Sequence, residues 1–319
     1  MSSETLLSSL SQSSSRHGLN TDLTQGLIKV YGEDAESFLQ NQLTNEVANV
    51  SETTHQITAW CSPKGRIITT LRLFKREDAY YLSLAQDMIE HVLKKLSMYV
   101  MMSKVSLEDV TESYVHLGVS GDFAGQDLEA LLGESLPSEA DSAKIINGLT
   151  VLKLADKTPR YEIFGDLESS NVLVGNIKVA PDYHWEYLNI VAGIPHISQA
   201  SSEAWIPQMI NFIQVNGVDF KKGCYPGQEI VARLNYLGKT KRRMYRLLID
   251  TDQLPAINDS ILSTNDKAAG KILNAVINPE GKVEALAVLK IAEANEALTL
   301  ANNEATITLL ELPYTVDDS

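Results

Sequence analysis

The sequence predicts an α+β protein of two or three domains that ends in a small β-barrel. Three observations predict it. The chain has 319 residues, enough for more than one core. Strand-like and helix-like periodicities alternate through residue 215, but not in the regular βαβ order of a dinucleotide fold, and neither Gly-x-Gly-x-x-Gly nor a P-loop occurs. After residue 244 only short strands with turn signals follow, the pattern of a barrel.

Taken in order, residues 27–31 read as a strand that Gly32 turns, and Ala35, Phe38, Leu39 and Leu43 then recur at helical spacing. Residues 55–60 and 66–74 read as strands joined by the turn Ser62-Pro63-Lys64-Gly65, and 79–84 as a third strand. Asp87 and Glu90 resemble a capping box opening a helix whose apolar stripe runs from Met88 to Val100. Met98, Met101 and Met102 are expected to pack. Residues 105–110 and 114–119 are strands, and 126–132 a helix stopped by Gly133. The polar segment 134–141 is a loop. Residues 150–154 and 160–164 are strands, and 166–174 a weaker helix. Residues 181–192 are helical up to Gly193 and Pro195, and 205–215 are helical with Pro207 in the first turn. Residues 237–239 link to the last region. There residues 244–249, 270–277, 283–291 and 306–312 are strands, with Asn278-Pro279-Glu280-Gly281 as a hairpin turn.

Composition excludes several classes. No apolar run is long enough to span a membrane. Residues 1–18 begin serine-rich, without a basic flank or long apolar core, and are expected to be a disordered tail rather than a signal peptide. The two cysteines, Cys61 and Cys224, lie far apart and make neither a disulfide framework nor a zinc site, so the reducing cytoplasm is the expected compartment. The six histidines show no metal-ligand spacing. A net charge of −14 argues against broad nucleic-acid binding. Yet residues 221–246 hold eight basic residues and one acidic residue, Glu229, a local attraction for an anionic tail or a phosphate backbone or else a solvated loop.

The stretch Lys222-Gly223-Cys224-Tyr225-Pro226-Gly227-Gln228-Glu229 stands apart. Two glycines, a proline and a cysteine fall within six residues. Glycine admits backbone geometries that side chains forbid, and Pro226 fixes one torsion and favours an extended Tyr225. The loop reads either as a rigid mount for a thiol or as a tight turn whose cysteine packs.

Lys-Gly-Cys-Tyr-x-Gly-Gln-Glu resembles the signature of the YgfZ family, within the superfamily of folate-dependent aminomethyltransferases that includes the T protein of glycine cleavage. The runs Ile28-Lys29-Val30-Tyr31-Gly32-Glu33-Asp34-Ala35-Glu36-Ser37-Phe38-Leu39-Gln40, Ser62-Pro63-Lys64-Gly65-Arg66, Leu188-Asn189-Ile190-Val191-Ala192-Gly193-Ile194-Pro195 and Pro207-Gln208 resemble the superfamily's other marked segments, in the same order. The resemblance implies a ring of three domains whose central opening receives tetrahydrofolate. Residues 19–235 would form two interleaved α+β folate-binding domains, and 240–319 the barrel.

Cys224 is the candidate reactive residue: a thiolate is the nucleophilic form, and the adjacent Lys221 and Lys222 favour it. Its chemistry could be nucleophilic, redox or transient ligation of iron, though one thiol cannot hold a cluster alone. Cys61 is expected to be structural, and Trp60 and Trp205 to pack. Trp185 matches a family position associated with folate contact and offers a broad stacking face, against the plain alternative of a core aromatic. The family's other folate-contact tryptophan corresponds to Gln25. Lys222, Gly223, Tyr225, Gln228, Glu229 and Arg233 complete the candidate folate-binding set. Gln228 and Glu229 could read a pterin edge or hold the loop, and Arg233 could instead pair with Glu229 four residues earlier if the segment is helical.

One departure bears on activity. Aminomethyltransferases place a carboxylate after the glycine turn, where Gly65-Arg66-Ile67-Ile68-Thr69-Thr70 offers only threonines. A hydroxyl supplies neither charge nor general-base capacity near neutral pH, which implies that this chain does not carry out aminomethyl transfer. Whether it is an enzyme stays open. The resemblance implies a cytoplasmic folate-binding protein that supports iron–sulfur client enzymes, such as a tRNA methylthiotransferase, and through them tRNA modification. A one-carbon transferase using Cys224 and a tRNA-binding module are the alternatives.

Overall fold

The computed structural model describes residues 18–20, 23–238, 240–264 and 266–316. The expected disordered tail, apart from Gly18, lies outside them, as does Lys239 of the expected link. Gly18 itself is not part of a tail: it opens the first strand, β1 (Gly18–Asn20).

Two five-stranded sheets precede the barrel. The first contains β2 (Gln25–Tyr31), β3 (Gln56–Cys61), β4 (Ile67–Arg76), β5 (Ala79–Ala85) and β6 (Ser106–Asp109), in the order β3-β4-β5-β2-β6. The second contains β7 (Val115–Ser120), β8 (Ala143–Ile146), β9 (Leu149–Lys153) and β10 (Arg160–Gly165), ordered β1-β7-β10-β9-β8. The sheets interleave in the chain, because β1 precedes the first sheet but pairs with β7 of the second. Helices α1 (Ala35–Gln40) and α2 (Ile89–Val100) belong to the first unit, and α3 (Ala124–Leu132) and α4 (Leu167–Val174) to the second. Asp166 caps α4 by accepting the Ser169 N–H at 2.7 Å. Then α5 (His184–Ala192) and α6 (Gln228–Leu237) lead into the closed barrel. Its strands are β11 (Arg242–Ile249), β12 (Ser260–Ser263), β13 (Lys267–Ile277), β14 (Val283–Lys290), β15 (Leu298–Leu300) and β16 (Thr306–Leu310). At the β13–β14 hairpin Asn278 Oδ1 accepts the N–H groups of Glu280 and Lys282, both at 3.0 Å.

A buried cluster of Ala59, Cys61, Ile190, Trp205, Phe212, Val231, Met244 and Leu286 joins the first sheet, α5, α6 and the barrel. Removing such side chains from water is the main force that holds the units together.

Besides Gly18, the structure differs from the sequence reading in four places. Residues 205–215 hold one 3-10 turn, Pro207–Ile210, instead of a helix. Asn211 adopts a left-handed conformation, φ 53°, and donates to the Met244 carbonyl at 2.8 Å. That tertiary bond ends the turn. Asp87 does not cap α2; its carboxylate accepts the Gln199 N–H at 3.1 Å. Met98, Met101 and Met102 do not pack but are 64%, 87% and 97% exposed, because the buried stripe of α2 is Ile89, Val92 and Leu96 and the helix ends at Val100. Strands β8, β12 and β15, three or four residues each, were not legible.

Candidate functional site

The signature loop is held by its first residue. Lys222 is 6% exposed, and its Nζ donates to the carbonyls of Gln40, Leu43 and Asn45 at 2.8, 2.6 and 2.8 Å. All three acceptors lie at or just past the C-terminus of α1, where carbonyls point outward and favour a cation. Burial lowers the Lys222 ammonium to about 8, with Glu46 and Asp219 opposing. Its Nζ also lies 5.5 Å from the centre of the Tyr225 ring.

The other end of the loop is held by two glycine turns. Gly227 has φ 82°, and a Cβ there would overlap the Ser62 carbonyl oxygen and lie 2.6 Å from the backbone of Gly65. Gly65, φ 68°, sits under Ile230. Two motifs far apart in sequence therefore dock backbone to backbone, which only glycine permits. Gln228 closes the loop from within, its Nε2 reaching the carbonyls of Lys222 and Gly223 at 3.3 and 3.2 Å. Tyr225 is buried, and burial raises its phenol above the ordinary value. Cys224 is left exposed between these anchors, whereas Cys61 is buried and its thiol is pushed up to about 12 by desolvation.

The candidate set is thus divided by the fold. Lys222, Tyr225 and Gln228 shape the loop. Gly223, Cys224, Glu229 and Arg233 are exposed on it or on α6, and no ion pair joins Glu229 to Arg233. None of these residues lines the cavities between the domains.

Those cavities meet at the junction of the two sheets, α5 and the barrel. Gln25 lies there, donating its amide N–H to His196 Nε2 at 3.2 Å and accepting from Ser83 at 2.6 Å. Arg72 of β4 and Glu162 of β10 pair across the sheets at 3.0 Å. Burial by itself would raise the Glu162 carboxyl, but Arg72 and then His116 outweigh it, and the carboxyl is held well below the usual carboxylate range. His55 is pushed down to about 3 by burial and by Arg72, so it is neutral, with Nε2 donating to Lys153 O at 3.0 Å and Nδ1 accepting from Arg72 at 3.3 Å. The narrow part around Gln25, Arg72, Glu162, Asn189 and His196 admits about one water. It continues, past Arg72 and Ile194, into a cavity of about 280 Å³ that Tyr314 also lines.

Trp185 stands behind this wall, not in it. It is 1% exposed, packed on Leu23 and Leu154, with the Arg160 guanidinium 5.0 Å over its ring and Gly118 close against its six-membered ring. Both surroundings enclose the indole, so it offers no open stacking face in this arrangement. Its neighbour one turn on, Asn189, does reach the cavity: Oδ1 accepts from Arg160 at 2.9 Å while Nδ2 is buried without a partner.

Thr69 and Thr70 are both buried. Thr70 Oγ1 donates to Pro195 O at 3.3 Å and accepts the Ile197 N–H at 3.1 Å, so it ties β4 to the segment after α5. Arg72, Glu162, Asn189 and His196 escaped the sequence reading. The available signal was a charge inside an apolar strand, as in Tyr161-Glu162-Ile163, which marks a buried partner or a site. Among the described residues no group of three or more His, Cys, Asp or Glu is placed to hold a metal ion, and no helix is long and apolar enough to cross a membrane.

Comparison with known proteins follows the same outline. The GCVT N-terminal domain family matches residues 15–148. The chain is 32% identical over 303 residues to the tRNA-modifying protein YgfZ of Photobacterium profundum, covering 92% of this chain and 90% of that protein. It is also 32% identical over 301 residues to the tRNA-modifying protein YgfZ of an Enterobacter species, covering 92% and 91%. Among solved structures, the glycine cleavage system aminomethyltransferase T from Bartonella henselae matches with a TM-score of 0.75 over 97% of this chain and 89% of that one, at 14% identity, a likeness of fold. Aligned along nearly its whole length and carrying the octapeptide on that fold, the chain belongs to the YgfZ family.

Proposed function

We propose that this chain is a folate-binding accessory protein that supports iron–sulfur enzymes and thereby tRNA modification, methylthiolation in particular. The observation that carries the folate half is the buried Glu162 carboxylate facing the cavity beside the unpartnered Asn189 amide. A pterin presents adjacent N–H donors on one edge and a carbonyl acceptor next to them. A buried carboxylate that stays ionised suits the donors, and an amide N–H suits the carbonyl. The chemistry of this donor set suits a reduced folate, but the narrow part holds about one water, so the ring would stand in the adjoining cavity of about 280 Å³ and reach the set past Arg72, with Trp185 as a support behind Asn189. When bound, tetrahydrofolate supplies a one-carbon carrier and a reductant.

Cys224 is the residue through which a client would be served. It is exposed on a loop fixed at both ends, so its thiol is presented without a search through conformations. It lines neither cavity between the domains, which favours service to an outside partner over one-carbon transfer to bound folate. Thr70 ties backbone groups and offers no carboxylate, which supports the expectation that the chain does not carry out aminomethyl transfer. A calorimetric titration of tetrahydrofolate tests the reading. Binding is expected for the wild-type protein and for Cys224→Ala, and a loss of about tenfold or more for Glu162→Gln. Wild-type protein that binds no folate, or Glu162→Gln that binds it undiminished, overturns the assignment.

A further inference from the structure

Beside the signature lies an open groove of about 620 Å³ that the folate reading leaves unused. One wall is aromatic: Phe220 and Tyr236 meet edge to face, with ring centres 5.9 Å apart, and Tyr236 is 67% exposed. The lining also includes the amides of Asn49, Gln56 and Asn216, and Gln56 Nε2 is buried with no partner. Lys221 stands exposed at the rim. Two carboxylates also line the groove. Asp219 accepts the Lys221 N–H at 2.7 Å, and Asp141, its carboxyl raised by burial, lines both this groove and the cavity of about 280 Å³.

We propose that this groove is a binding site for an unpaired RNA nucleotide. A nucleobase has a π-face for Tyr236 and an edge of mixed donors and acceptors, which side-chain amides match and an apolar slot does not. The Gln56 N–H is a donor the fold leaves for such an edge. A ribose hydroxyl suits Asp141, and a phosphate suits Lys221. The acidic chain limits this contact to a short single strand, because a duplex would bring many phosphates against a net charge of −14. The groove also borders the signature: Asn45, which lines it, provides one of the three carbonyls that hold Lys222. A nucleotide here would be held on the side of the molecule that carries Cys224. The choice of RNA rests on the proposed link to tRNA modification; the groove and its chemistry do not.

The test is fluorescence anisotropy of a short 5′-labelled single-stranded RNA with the full-length protein. Binding is expected, weakened about tenfold by Tyr236→Ala and retained by Tyr236→Phe. Lys221→Met should lower the slope of log affinity against log salt by about one. DNA of the same sequence and the RNA duplex should bind more weakly, and Gln56→Leu should narrow the differences among homopolymer RNAs. Saturating tetrahydrofolate should leave RNA binding intact. The groove adjoins the cavity proposed for folate, so competition between the two would make it the folate entrance and overturn the proposal. Absence of RNA binding, or equal binding by Tyr236→Ala, would overturn it as well. Because Tyr236 is mostly exposed, that variant should fold, and its folate titration separates failure of this site from failure of the folate reading.

Discussion

The signature loop and the central cavity solve opposite problems. The loop places one reactive atom at the surface, and everything around that atom serves to stop the backbone from moving: Lys222 on three carbonyls, Gln228 on two, and Gly227 against Gly65. The cavity exposes nothing reactive. It gathers charge and amides from β4, β10 and α5 and keeps them in fixed protonation states by burying them together. A thiol becomes useful through access, and a recognition group through desolvation. One chain can therefore hold both only by keeping them apart.

Substitutions can break this contrast from either side. The largest effect is expected in the cavity. Arg72→Met strands the Glu162 carboxylate without its partner, a loss on the order of 3–5 kcal/mol that denaturant unfolding would register. If stability were unchanged, Arg72 would not be what offsets the burial of the Glu162 carboxylate. Next comes Lys222→Met, which leaves three carbonyls without a donor and should destabilise by about 2–3 kcal/mol. It should also slow the reaction of Cys224 with a thiol reagent, since the loosened loop no longer holds the thiol outward, while Cys61 stays silent until unfolding. Equal labelling rates in the two proteins would show that Lys222 does not position the loop.

A smaller and sharper contrast lies within the signature. Gly227→Ala forces a side chain onto the Ser62 carbonyl at positive φ, and a loss of roughly 2 kcal/mol is expected. Gly223→Ala meets nothing within 4 Å and should stay within about 0.5 kcal/mol of wild type. Reversed outcomes would invert the account of which glycine the loop needs. A last contrast concerns pH. His55 titrates at 6.5 when unfolded and at about 3 when folded, so the unfolded chain binds the extra proton between those values. Stability should therefore be unaffected by this residue above 6.5 and should fall as pH drops below it. The depressed Glu162 adds in the same direction, its contribution being lost as pH falls below the ordinary carboxylate range. His55→Gln should flatten the upper part of this decline; an unchanged profile would mean that His55 is not buried in its neutral form.

Much of this protein follows from local pattern. The strands of the first sheet, helix α2, the hairpin at residues 278–281 and four of the six barrel strands could be read from periodicity and turn residues, because each repeats a rule over several residues. The signature announced itself by its crowding of Gly, Pro and Cys, but that stiffness suited a packed cysteine as well as a presented one, and the fold decided for exposure. What the sequence left undecided depends on partners distant in the chain. Lys222 read as a cation beside the thiol, but the carbonyls that bind it lie some 180 residues earlier. Trp185 read as a ligand platform until the strand bearing Gly118 and the Arg160 guanidinium enclosed it. Arg72 and Glu162, 90 residues apart, looked like ordinary strand charges, and only the approach of two sheets makes them a buried pair facing a cavity. Backbone conformation depends on neighbouring residues and can be read along the chain. Desolvation depends on whatever the fold brings alongside, and desolvation is what decided which of these residues anchor, which support and which are left to act.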